Sequence, residues 1–113
     1  MLQLELDPRS GEHTAIVRCD GRIVFHEEAK MLAEAVRALI EKHRKVVLDL
    51  TNVRDVDSAG LGTLASLHLH ARTHGHEFVL MNPRSFVRDL LELTQLDRQL
   101  QVLHGSRAME FAA

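Results

Sequence analysis

The sequence predicts an α/β fold: a mixed sheet of four to five strands with flanking helices, in the order ββαβαβα(β)α. Three observations carry that expectation. Leu2, Leu4 and Leu6 alternate with Gln3 and Glu5, the period of two that marks a half-buried strand. Val46-Val47-Leu48-Asp49-Leu50 is a nearly unbroken apolar run, as a buried central strand requires. Between such runs lie stretches with apolar residues three and four apart, so strands alternate with helices after an opening hairpin, and the central strands run parallel.

The elements follow in order. Residues 2–6 form the first strand, and Pro8, Ser10 and Gly11 supply turn chemistry over 7–13. Residues 14–19 read as a second strand pairing back on the first, broken by Asp20-Gly21. Residues 27–43 read as a helix, with Leu32, Val36, Leu39, Ile40 and His43 on one face. Glu27 and Glu28 at its start and Lys42, His43, Arg44 and Lys45 at its end suit the helix dipole. The strand at 46–50 leads into a polar connection over 51–57, then a second helix over 58–74 stopped by Gly75. Residues 77–81 are another strand, ended by Asn82-Pro83, and 85–93 a third helix with Leu96 packing just beyond. Residues 101–103 read as a short edge strand and 106–111 as a last helical turn or two. No repeat or Gly/Ser linker interrupts the chain, so 1–113 reads as one domain. In such sheets the loops at the carboxyl ends of strands carry function; here they are 20–26, 51–57 and 82–84.

Composition narrows the function classes. The chain has 113 residues, and a chain of that size buries roughly 65% of its unfolded surface, enough for a real core. With 14 Lys+Arg against 16 Asp+Glu, the net charge is −2. No basic face is available to neutralise phosphates, so direct nucleic-acid binding is not expected. The aromatic residues, 4% of the chain and all Phe, argue against a base-stacking platform. A single cysteine, Cys19, rules out an internal disulfide and a cysteine-only zinc site, and it reads as a small buried residue. The first residues lack the charged and apolar regions of a signal peptide. No apolar run approaches the roughly 18 residues of a spanning helix. The expectation is a cytoplasmic protein without membrane insertion.

The informative stretch runs from Asp49 to Gly62, DLTNVRDVDSAGLG. A buried strand enters an acidic loop, and Ser58 falls where a helix N-cap belongs, its hydroxyl able to accept from the N–H of Gly60 or Leu61. Gly60 and Gly62 follow within the first turn, at a cost of about 1 kcal/mol each relative to Ala. Glycine there implies that something approaches the backbone closely. Two readings of Ser58 stand side by side: a plain helix cap, or a regulatory serine. A phosphate on it would add about −1.5 to −2 charge at pH 7, tolerated by the helix N-terminus and repelled by Asp55 and Asp57.

Asp57-Ser58-Ala59-Gly60-Leu61-Gly62, preceded by Val47-Leu48-Asp49-Leu50, resembles the signature of the STAS domain family, in particular its bacterial anti-sigma factor antagonists. The resemblance covers roughly residues 2–111. It extends to Cys19-Asp20-Gly21-Arg22-Ile23 before the first helix, and to the segment from Phe86 to Leu96, which looks like the family's penultimate helix. It implies a STAS-like domain over 1–113 and a binding module rather than an enzyme, with no cofactor of its own. The unphosphorylated protein would sequester an anti-sigma factor that is also a serine kinase. That partner, holding ATP and magnesium, would phosphorylate Ser58 and be released, and a serine phosphatase would reset the switch. The resemblance further implies that Asp57 and the backbone of Gly60, Leu61 and Gly62 position Ser58. Asp20, Gly21, Arg22 and Phe25, with Asp55, Ala59, Leu61 and Ala65, would complete the docking surface. Asp49 would be structural. The chain departs from the family pattern at Val24, where antagonists often carry an acidic residue. The alternative use of the same fold is an accessory subunit docking on the ATPase of a membrane transporter, or a member of a stress-signalling assembly.

Two further patterns call for comment. The apolar residues of the second helix span a wide arc, with Leu64, Leu67 and Ala71 at one end and Leu61, Ala65 and Leu69 at the other. One stripe suffices for packing on a sheet, so the stripe starting at Leu61 is expected to be partly exposed and to meet the partner; the other reading buries both stripes between the sheet and the neighbouring helix. His68, His70, His74 and His76 crowd the end of that helix, and His70 and His74 have the i, i+4 spacing of a metal pair. With no cysteine nearby they read as a solvated helix face, and no metal is assigned.

Overall fold

A computed structural model of the chain describes residues 2–105. Strands β1 (Leu2–Leu6), β2 (Thr14–Ile23), β3 (Lys45–Val56), β4 (Glu77–Met81) and β5 (Gln101–Leu103) form one sheet in that spatial order. The β1–β2 pair is antiparallel and the other three pairs are parallel. Helices α1 (Phe25–Lys42), α2 (Ser58–Thr73) and α3 (Ser85–Leu93) make the parallel crossovers. A 3-10 turn at Leu96–Arg98 follows α3. Because each parallel strand lies beside its predecessor, crossovers of one hand place their helices on one face of the sheet. Leu32, Val36 and Ile40 of α1, Leu64, Leu67 and Ala71 of α2, and Val87 and Leu91 of α3 share one core with Val17, Leu48 and Leu80. Ile16, Val47, Val79 and Met81 form a smaller cluster on alternate strand positions. The continuous apolar run of β3 is thus accounted for: both of its faces are covered.

The strands at 77–81 and 101–103 and the helix at 85–93 lie where the sequence places them. Three boundaries differ. Asp20-Gly21 does not end β2; the strand runs on to Ile23 through register shifts, and Gly21 takes a φ of 122°. The polar connection over 51–57 is mostly strand as well. Asn52 pairs with Asp20, Val53 with Gly21 and Val56 with Ile23, so the two extensions support each other. Their exposed residues obscured the alternation, since only Val53 and Val56 of that part of β3 are buried. Helix α1 begins at Phe25, two residues early. The helical turn expected at 106–111 lies outside the described residues.

Asp49 sits within β3, where its carboxylate accepts from the Thr51 N–H at 3.0 Å and hydroxyl at 2.6 Å, a structural role. Cys19 is buried, and burial, with the nearby Asp49 charge second, pushes its thiol up to about 12. It is therefore no nucleophile.

Asp7 closes the β1–β2 connection. Its side chain is only 3% exposed, and its carboxylate accepts from the Arg9 backbone N–H at 2.8 Å and from the Arg9 guanidinium at 2.9 Å. These hydrogen bonds, the side-chain one foremost, hold the carboxyl well below the usual range. An acid with a depressed folded-state value stabilises the protein above its unfolded pKa, about 3.9, and loses that contribution as pH falls toward the folded value. Asp7→Asn is therefore expected to lower the unfolding free energy at pH 7 by about 1–3 kcal/mol. The gap to wild type should narrow below about pH 4; urea unfolding across the pH range measures both.

Candidate functional site

The site is built where two parallel strands end together. Ile23 and Val56 are paired in the sheet, and each leads directly into a helix. The first turns of α1 and α2 thus lie side by side, each with backbone N–H groups that no helical carbonyl can satisfy. Asp57 serves both. One carboxylate oxygen accepts from the Gly60 N–H at 3.0 Å and the other from the Phe25 N–H at 2.9 Å. The Phe25 bond first, and the Gly60 bond second, hold the Asp57 carboxyl below its usual value.

This arrangement corrects the expected cap. Asp57, not Ser58, caps α2. Asp and Ser are about equal as caps, but only a carboxylate has two oxygens to span two helix ends. Ser58 becomes the first residue of α2. It is exposed, and its hydroxyl has no hydrogen bond among the described residues.

The glycines separate in the same way. A Cβ on Gly60 would run into the Ile23 carbonyl oxygen and come within 2.8 Å of Val56 Cγ1. The close approach inferred at Gly60 is therefore internal: the end of β2 presses on the first turn of α2. Around Gly62, an added Cβ meets nothing within 4 Å. Gly62 and Ala59 face a cleft of about 440 Å³ between α1 and α2, whose α1 wall carries His26, Lys30 and Arg37. The sequence reading missed these three polar side chains, because on an amphipathic helix they read as an ordinary solvated face.

Phe25 takes a φ of 63°, a strained value for a bulky residue, with its N–H held by Asp57 and its side chain 63% exposed. Arg22 and Asp55, with Arg54 and Phe86, line an open recess of about 580 Å³. Gly21 is buried in β2, and Ala65 is half-buried on α2. Asp20 is exposed but lines a separate recess with Gln3, Arg18 and Asn52. Leu61 differs from expectation. It is 8% exposed and belongs to the main core, because the Gly60 contact draws this turn onto the sheet. On that stripe the exposed apolar side chain is Leu69. Val24, the departure from the family pattern, is buried at the start of α1.

The model of the STAS domain family matches residues 5–108. The chain belongs to the STAS domain family. A Thermotoga maritima protein carrying the name anti-sigma factor antagonist is 33% identical over 69 residues, which are 60% of this chain and 61% of that one. The STAS domain described above also superposes on the crystal structure of the Thermotoga maritima protein tm1081, with a TM-score of 0.78 at 25% identity, covering 96% of this chain and 93% of the other. The anti-sigma factor antagonist SpoIIAA in its unphosphorylated form gives a TM-score of 0.79 at 14% identity, over 96% and 93% of the two chains. The Bacillus SpoIIAA in its phosphorylated form gives 0.73 at 14% identity, over 98% and 100%. At that identity the SpoIIAA likeness shows the fold alone.

The two glycines of this STAS domain should respond oppositely to one methyl group. Gly60→Ala is expected to cost about 1–3 kcal/mol of stability through overpacking against Ile23 and Val56. Gly62→Ala should leave stability unchanged or raise it by up to about 1 kcal/mol through helix propensity. Chemical denaturation of both variants is the measurement.

Proposed function

We propose that this protein is an anti-sigma factor antagonist, a non-enzymatic binding module whose grip on an anti-sigma factor is switched by phosphorylation of Ser58. The observation that carries the reading is the division of labour at the start of α2. Asp57 holds the helix end, which leaves the Ser58 hydroxyl exposed and free of any structural duty among the described residues. A capping serine would have its oxygen engaged by the helix backbone; this one presents its hydroxyl to solvent.

On this reading the unmodified surface docks the partner through Phe25, Ala59, Gly62 and Ala65 around Ser58, with Gly21, Arg22 and Asp55 at the neighbouring strand ends. Exposed Phe25 gives an apolar anchor, and Gly62 lets a partner backbone come close. The partner, an anti-sigma factor with serine kinase activity, supplies ATP and magnesium. Its γ-phosphoryl group passes to Ser58 Oγ, the hydroxyl proton is given up and ADP leaves. The new charge sits at a helix N-terminus, which favours it, so α2 keeps its place. Asp57 is one residue away, and the anion it adds repels an acidic partner surface and demands solvation that a docked interface denies. A serine phosphatase then restores binding. The family relation to named anti-sigma factor antagonists supports this reading over a transporter subunit.

The test is the intact mass of the protein from its native host, with Ser58→Ala beside it. The expected result is a phosphate-sized increase on wild type that vanishes in the variant. Ser58→Glu is expected to bind the captured partner about tenfold or more weakly than Ser58→Ala. Equal binding by the two variants, or no phosphate through growth, stationary phase and stress, would leave Ser58 without a switching role.

A further inference from the structure

At the opposite end of the α1–α2 pair from Ser58, three side chains converge. Glu41 stands in the last turn of α1, His70 in the last turn of α2, and His74 at its C-cap. One ligand atom from each lies within 4.8 Å of the other two. His70 Nε2 is 3.0 Å from Glu41 Oε2, and the two imidazole rings are 4.6 Å apart. We propose that Glu41, His70 and His74 form a binding site for a divalent transition-metal ion of the zinc class that clips α1 to α2.

The protonation pattern favours this. His74 Nδ1 lies 3.0 Å from the His70 carbonyl oxygen. A carbonyl can only accept, so Nδ1 carries the hydrogen and Nε2 presents its lone pair. Fixing one ring nitrogen by a backbone carbonyl is how metal-binding imidazoles are oriented. His70 Nε2 faces a carboxylate oxygen, another acceptor, and so carries a proton in the metal-free protein. A zinc ion takes that hydrogen's place between nitrogen and oxygen, and the neutral ring then carries its hydrogen on Nδ1. Two imidazole nitrogens and one carboxylate oxygen, completed by water, make a common zinc donor set, with bonds of about 2.0–2.2 Å. Nitrogen donors also select against calcium and magnesium.

The scaffold around the cluster is held in place. His76 Nδ1 donates to the Ile40 carbonyl at 2.7 Å, tying the turn after α2 to the residue before Glu41. The Glu77 N–H donates to the Arg44 carbonyl at 2.8 Å. Further along the helices, Arg37 donates to Ser66 Oγ at 3.2 Å. Small side-chain rotations therefore suffice to close the site. The sequence reading stopped at the His70–His74 pair because its third ligand lies 29 residues away on another helix.

The site shares no residue with the Ser58 surface, so the two ideas stand or fall separately. The test titrates zinc chloride into the full 113-residue protein by calorimetry, with thermal melts and ring-proton NMR of the eight histidines. The expected result is one equivalent bound, a raised Tm, and shifts at His70 and His74 but not at His13 or His26. His70→Gln, His74→Gln and Glu41→Gln should each weaken binding by about tenfold or more, while His68→Gln and Ser58→Ala bind as wild type. No saturable binding would overturn the proposal and leave an ordinary hydrogen bond between helices. Full affinity in Glu41→Gln would overturn the clip, as would unshifted His70 and His74 resonances in wild type.

Discussion

The Asp57 carboxylate is the interaction on which the site depends. Two parallel strands end side by side, and each turns at once into a helix, so two sets of unpaired N–H groups meet at one edge. A single side chain with two acceptor oxygens bonds to one group from each. Those bonds, the Phe25 one foremost and the Gly60 one next, hold the carboxyl below its ordinary range, and both helix dipoles favour an anion there. The positive φ of Phe25 follows from the same constraint, since the chain must turn sharply from β2 to offer its N–H to Asp57.

Gly60 is the steric counterpart of that bond. With the two strand ends locked together, the first turn of α2 sits against the Ile23 carbonyl, and there is no room for a Cβ. Leu61 is drawn into the core by the same contact. What remains on the outside is small or unengaged: Ser58, Gly62 and half-buried Ala59. The helix end is tied to the sheet and its outer surface is open. On the proposed reading, a charge can be added and removed there without the fold having to respond.

Helices α1 and α2 carry different chemistry at their two ends. Toward their N-termini, His26 and Lys30, with Arg37 further along α1, flank a cleft lined by small residues. Near their C-termini, Glu41 meets His70, and His76 bonds to the Ile40 carbonyl. The main core lies under both ends and couples each helix to the sheet. Changes at one end therefore meet a close-packed interior before they reach the other.

By itself the sequence determined the class of fold, the alternation of elements and most of the core. A period of two, a period near 3.6 and the turn residues between them are local properties, and the elements at 77–81, 85–93 and 101–103 were legible from them. The motif around Ser58 was legible too, because the strand, acidic loop and glycines are contiguous. Tertiary structure decided what depends on partners distant in sequence. The polar halves of β2 and β3 are strands because they pair with each other, which no local pattern states. Asp57 rather than Ser58 became the cap because a second N–H, 32 residues away, competes for its other oxygen. Leu61 is buried because Ile23 meets Gly60, and Glu41 joins His70 because two helices pack side by side. Spacing along the chain ranks residues by what they can do; which of them meet is set by the packing of segments that the chain holds far apart.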